Sequence, residues 1–353
     1  MPAGQSVPVS RMAEDRRSVA VLPRRPHTRY TPGSLEVFGL ILLTAVLLRS
    51  QLARWLTDVL PSGWATVFVA ICVQATPFLV LGVLVSGAIA AFVPASFFQR
   101  VMPDRAVLAV PLAGVCGIAL PGCECGSVPI ANRLIDRGVR PSAALAFLLS
   151  APAINPIVLV ATAVAFQNEP RMVWARLAAG LLTAVLVGWI WERIGRPEWM
   201  RPGPRRVAGT GTDRGGTGIS VFLPTVRGDF TQAAGFLVIG AAAAATLNTV
   251  VPRQFMVGVG SSAILSVITM GVLAFVLALC SESDAFVAAS FSTIPVVGKL
   301  VFLTVGPAVD IKLFAMQSGT FGRKFAVRFS PLTFVVAVLI GVGVGLLFFQ
   351  EWR

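Results

Sequence analysis

Apolar residues run in long blocks along this chain, and polar ones gather at a few recurring places between and inside the blocks. The blocks fall at roughly 35–53, 64–93, 142–166, 172–191, 230–251, 294–316 and 325–349. Several pass the ~18 apolar residues at which a membrane-spanning helix becomes the default reading. Two further runs, 106–121 and 262–280, end at polar motifs, ALPGCECGSVPI over 119–130 and ALCSESDAF over 278–286. Hydrocarbon offers backbone groups no water, so the pattern predicts an all-α fold, a polytopic integral membrane helical bundle.

The pattern also repeats. QATPFLVLG at 74–82 matches QAAGFLVIG at 232–240, and Val93-Pro94 matches Val251-Pro252, both at an offset of 158. Gly114 and Cys123 match Gly271 and Cys280 at 157, and FLLSAPAIN at 147–155 matches FLTVGPAVD at 302–310 at 155. Ordered Gln, Pro, Gly and Cys carry this match, because apolar residues coincide easily. The expected organisation is a basic tail at 1–33, an extra N-terminal transmembrane helix and loop at 34–63, a first membrane repeat at 64–192, a linker at 193–228 and a second repeat at 229–353.

Charge sets the expected orientation. Of 29 basic residues, six arginines lie in the tail, beside His27 and Tyr30, and seven in the linker, which is glycine-rich between 209 and 218. Both segments read as flexible and cytoplasmic, which explains the net charge of +13 more simply than nucleic acid would. An even number of crossings must then separate them, yet five apolar runs lie between. The run 106–121 is too short to span comfortably. It reads as one arm of a re-entrant hairpin that breaks at Pro121-Gly122 and returns as an amphipathic piece, 126–138, carrying Arg133 and Arg137. Three full crossings per repeat would invert the second copy, so its hairpin, 262–293, would enter from the opposite face. The fold expected is two inverted repeats, each with a broken or re-entrant hairpin, in the inner cell membrane. A competing topology of nine full crossings puts the tail or the linker outside.

The candidate chemistry lies at the hairpin tips. A break at Pro121 and Gly122 would release Cys123 and Cys125 from opposite helical faces, and a helix starting near Ser127 would offer its N-terminal N–H groups to an anion or thiolate. Cys123, Cys125 and Cys280 are then candidate ligands for a soft metal or metalloid: trivalent arsenic takes three thiolates, and zinc would need a fourth ligand such as Glu124. Ser281 stands beside them. Glu282 and Asp284, costly as ions at the midplane, are candidates for a proton relay. Pro152, Pro156 and Pro307 would interrupt two matched helices, where Asn155 and Asp310 add side-chain oxygens to the solute path. Lys312 reads as a side chain that snorkels to the cytoplasmic interface, and Cys72 and Cys116 as apolar packing. There is no nucleotide-binding loop, so neither an enzyme nor a cofactor is expected, and energy would come from an ion gradient.

PGCECGSVPIANRLIDRGVRPSAALAFLLSAPAINPIVLVAT, with LCSESDAFVAASF and GPAVDIKLFAMQSGTFGRKFAVRF, resembles the ArsP-type predicted permeases over roughly residues 64–349. The resemblance implies export of trivalent organoarsenicals through a cysteine pair that corresponds here to Cys123 and Cys125, and a second membrane subunit as a partner. The family commonly shows Cys-Ser-Cys-Gly where this chain has Cys-Glu-Cys-Gly. An acidic residue between the thiols would favour a divalent cation over a neutral methylarsenical. Two other classes fit the same residues. A membrane thiol–disulfide electron carrier would use Cys123 and Cys280, and an accessory subunit would carry nothing itself.

Overall fold

The computed structural model describes residues 63–103, 105–119, 123–200, 218–250, 263–291 and 294–349. The tail, the extra N-terminal helix, Pro121 and Gly122 lie outside the described residues. The described residues contain helices and no strand. In chain order these are α1 (Trp64–Phe92), α2 (Ala95–Val101), α3 (Ala106–Cys116) with a 3-10 turn Gly117–Ala119, α4 (Glu124–Asp136), α5 (Pro141–Ile154), α6 (Pro156–Ala165) and α7 (Arg171–Ile194). The second half supplies α8 (Ile219–Val250), α9 (Ala263–Leu277), α10 (Asp284–Ser290), α11 (Val296–Ala308), α12 (Ile311–Thr320) and α13 (Arg323–Phe349).

Among the described residues, five stretches are long and apolar enough to cross a membrane: Trp64–Phe92, Pro141–Ala165, Arg171–Ile194, Val221–Leu247 and Arg323–Phe349. Ala106–Ala119 and Ile264–Leu277 are apolar but shorter, as the hydrophobic pattern predicts. The broken helix α5–α6 is the most enclosed, 78% buried over its most apolar window. Its counterpart α11 is likewise buried along nearly its whole length. These two broken helices pack against each other, α7 and α13 close around them, and α1 packs on α8. The last two run antiparallel: the Trp64 indole N–H donates to Thr246 Oγ1 at one end, and Ser86 Oγ donates to Asp229 Oδ2 at the other.

The breaks in α5–α6 and α11–α12 follow from capping chemistry. Asn155 is extended (φ −68°, ψ 155°), and its Oδ1 accepts the Val158 N–H at 2.9 Å, while Pro156 at the first helical position has no N–H to satisfy. Asp310 does the same for α12 by accepting the Leu313 N–H. Pro152 and Pro307 do not make the interruptions. Both sit inside helices, and each helix stops just beyond, at the caps. Pro152 removes the donor that Leu148 C=O would otherwise receive four residues on, and Ser127 Oγ replaces it at 3.2 Å. The helix therefore passes through the proline.

Three other expectations change. The return arm of the first hairpin starts at Glu124 rather than near Ser127, with Cys123 as the residue before its first turn. Nine of its 13 residues are buried, more than its amphipathic pattern implies. The segment read as a linker is helical from Ile219 onward, because Phe222 and Val226 press against Gly87 of α1 and Asp229 pairs with Arg133 at 3.1 Å. Arg137, on the turn after α4, donates to the Ala90 and Val93 carbonyls and so closes the end of α1.

The approach of α4 to α1 requires two glycines. A Cβ on Gly82 would stand 2.4 Å from Gly126 Cα, and one on Gly126 would stand 2.8 Å from the Phe78 carbonyl oxygen. Backbone cannot yield there as a side chain can. Gly82→Ala is expected to destabilise the protein by about 1–3 kcal/mol, whereas Gly235→Ala, at a site with nothing within 4 Å, is not. Thermal unfolding of both variants in detergent checks this, and equal midpoints would show that the contact is not tight.

Candidate functional site

Four broken or capped chain ends meet near the centre of the bundle: the start of α4, the turn 278–283 after α9, the start of α10 and the start of α12. Each brings charge or sulfur into an apolar interior. Glu124 belongs to the first turn of α4, where the positive end of the helix favours a carboxylate. Lys312 is the second residue of α12, where the same dipole disfavours a cation, so its position needs another explanation.

Glu124 supplies it. Lys312 Nζ donates to Glu124 Oε1 at 3.0 Å, lies 3.4 Å from Asp310 Oδ2, and donates to the Ala278 carbonyl at 3.3 Å. The second Glu124 oxygen accepts from Ser281 Oγ at 3.1 Å. Glu124, Asp310 and Lys312 are each 0% exposed. Lys312 therefore does not snorkel to an interface as its place in the sequence implies; it is the cation around which the centre is built.

A second buried pair flanks the first. Arg176, from the second turn of α7, donates through Nη2 to Asp284 Oδ1 at 2.8 Å and to the Ser281 carbonyl at 2.8 Å. Its Nη1 donates to Thr162 Oγ1 of α6 at 2.8 Å. Asp284 is thus held in a buried ion pair. Glu282 is different. Both its carboxylate oxygens are buried without a hydrogen-bond partner among the described residues, while Gln74 Nε2 fixes the neighbouring Ser283 Oγ at 2.6 Å.

Cys123, Cys125 and Cys280 are all buried and free, and the Cys125 thiol is within hydrogen-bonding reach of Cys123. The three sulfurs thus share the interior with the Lys312 cluster. Among the described residues, however, no group of three or more His, Cys, Asp or Glu is arranged to hold a metal ion. The three-sulfur ligand set expected from Cys123, Cys125 and Cys280 is therefore not assembled. The cause is local: Cys125 lies within the first turn of α4 instead of in an unwound segment. Asn155 caps its own break, accepting from Val158 N–H and donating to the Ala151 carbonyl at 3.1 Å. Cys72 is half-buried and Cys116 exposed, as residues that pack on the outside of a bundle.

Arg176 and Lys312 are the residues that reading the sequence missed. The signal was there for Arg176: an arginine in the second turn of a 24-residue apolar helix, inside an apolar run, is costly unless it finds a partner in the interior.

A family model for predicted permeases matches residues 62–346. The chain belongs to the predicted permease family. It is 36% identical over 280 residues to the UPF0718 protein YcgR of Bacillus subtilis, covering 78% of this chain and 94% of that one. It is 31% identical over 283 residues to a Streptococcus mutans protein named "Putative two-component membrane permease complex subunit", with the same coverage of 78% and 94%. A Methanocaldococcus jannaschii relative, UPF0718 protein MJ0584, is 26% identical over 121 residues, 34% of this chain and 33% of its own. No solved structure matches. The ArsP-type permease described here is a multi-pass membrane protein, and its matched region contains every charged residue of the centre.

Removing one partner of a buried pair leaves the other charge unneutralised, at a cost of about 3–5 kcal/mol. Lys312→Met is accordingly expected to lower the unfolding midpoint sharply, and adding Glu124→Gln to recover part of the loss. Unfolding of the two variants in detergent measures this coupling; additive losses would mean that the pair does not interact.

Proposed function

We propose that this chain is an inner-membrane permease that moves a small thiophilic solute, of the trivalent organoarsenical class, past Cys123 and Cys125 at the centre of the bundle. The observation that carries the proposal is the placing of two adjacent buried thiols beside a fixed charge cluster where chain ends meet. An organoarsenical bearing two hydroxyls condenses with two thiols: two As–S bonds form, two As–O bonds break, and two waters leave with no change of oxidation state. That chemistry uses a pair of sulfurs, whereas a soft cation would call for the larger ligand set that is not assembled.

The two halves are read as inverted copies. Each carries a long helix, a short apolar helix, a polar tip, a broken helix pair and a final long helix, and the matched helices α1 and α8 pack antiparallel. In that reading the cluster is the pivot region, the N-terminus and the segment after α7 face the cytoplasm, and Glu282 is the carrier of a coupling proton, since its carboxylate alone in the centre lacks a partner. The name of the Streptococcus mutans relative supports a second membrane subunit as a partner.

Everted vesicles carrying the wild type are expected to accumulate a trivalent phenylarsenical, and those carrying Cys123→Ser with Cys125→Ser to fall to the level of empty vesicles at equal protein. Zinc is expected to accumulate in neither. Accumulation of arsenical that survives the double substitution would remove the thiols from the path, and no accumulation in the wild type would remove the solute class. Glu282→Gln is expected to abolish the acceleration of uptake by an imposed proton gradient while leaving arsenical binding to the purified protein unchanged; an undiminished response to the gradient would exclude Glu282 as the carrier.

A further inference from the structure

The Lys312 ammonium is surrounded as a bound cation would be. Two carboxylate oxygens, Glu124 Oε1 at 3.0 Å and Asp310 Oδ2 at 3.4 Å, and one backbone carbonyl, Ala278 O at 3.3 Å, face it. They come from three separate chain ends, so the arrangement is a product of the fold and not of one helix. Asp310 Oδ2 is buried and has no hydrogen-bond partner; the 3.4 Å approach to Lys312 satisfies the distance of an ion pair without the geometry of a hydrogen bond.

The Ala278 carbonyl is the telling ligand. Ala278 is the single non-glycine residue with positive φ, 49°, among the described residues. An alanine there costs about 1 kcal/mol or more. The distortion falls directly after the end of α9 at Leu277 and leaves the Ala278 carbonyl facing Lys312, at the negative end of that helix and beside the two carboxylates. On the other side Gly240 of α8 lies against the lysine backbone, where a Cβ would stand 2.8 Å from Lys312 Cα. The lysine is fixed at its backbone, and the hydrogen-bond and ion-pair partners of its ammonium among the described residues are oxygens.

We propose that Glu124, Asp310 and the Ala278 carbonyl form a site for a small monovalent cation, and that the Lys312 ammonium is its permanent, tethered occupant. Anionic and carbonyl oxygens around a single positive charge are what alkali ions and alkylammonium ions both require. The wild type therefore has no vacancy for a free cation here, and shortening the lysine opens one. The proposal concerns the fixed charge of the centre and holds whichever solute permeates.

The test is thermal unfolding of the full chain in detergent, at equal ionic strength, in choline, sodium, potassium and methylammonium chloride. The wild-type midpoint is expected to be the same in all four. Lys312→Ala is expected to melt lower in choline and to gain about 3 °C or more in methylammonium, the ion that restores the missing group, with sodium or potassium rescuing in part. Adding Asp310→Asn is expected to weaken that rescue. Should Lys312→Ala alone not fold, the double variant keeps one carboxylate and the carbonyl and is expected to respond to methylammonium more weakly but measurably. Variants that respond to no cation would overturn the proposal, and so would a wild type that responds as the variant does.

Discussion

The need to neutralise charge in an interior without water governs the centre of this protein. Lys312 and Arg176 are both buried, and neither can be there without carboxylates within reach. The pairing crosses the two halves in both directions. Glu124 of the first half meets Lys312 of the second, and Arg176 of the first meets Asp284 of the second. Each half therefore carries a cation or an anion that is tolerable only when the other half is in place. A buried pair is not in itself a source of net stability, since apolar residues of equal size would pack at less cost in desolvation. What it supplies is a particular alignment of chain ends.

That alignment depends in turn on how the helices stop. Asn155 and Asp310 each accept an N–H from the helix that follows, and each turns the chain without leaving buried donors unsatisfied. Asp310 adds to this the oxygen that faces Lys312, so the same residue ends one element and charges the centre. Asn155, uncharged at the matched place, caps without contributing an anion. The two halves are therefore alike in backbone and unlike in charge, and the cation of each is found elsewhere, on α12 in one and on α7 in the other.

Much of this was legible in the sequence. Hydrophobic blocks located the long helices, the run 106–121 reads as too short to span, and the match of FLLSAPAIN with FLTVGPAVD sets Asn155 beside Asp310, both of which cap a following helix. Lys312 was not legible, because a lysine two residues from a helix break has a cheap alternative in reaching an interface, and only tertiary packing shows which way it turns. The start of α8 was hidden for a related reason: arginine and glycine content marks a segment as flexible, while the few apolar residues that hold Ile219–Phe230 against α1 do not stand out by composition. Burial of α4 exceeds what its amphipathic pattern suggested, because Arg133 and Arg137 are absorbed by Asp229 and by the carbonyls at the end of α1.

The same electrostatics limits how the centre can open. Among the described residues, Glu124, Glu282, Asp284 and Asp310 share the centre with two buried cations, Arg176 and Lys312, four carboxylates against two positive charges. Glu282, whose two carboxylate oxygens have no hydrogen-bond partner among the described residues, takes part in neither ion pair. Parting Lys312 from Glu124, or Arg176 from Asp284, would leave unpaired charges in an interior without water, at a cost of about 3–5 kcal/mol for each pair broken. Movement that leaves both pairs intact, with α4 and α12 travelling together and α7 with the turn before α10, carries no such penalty. The pairs thus divide the bundle into units whose members come from opposite halves.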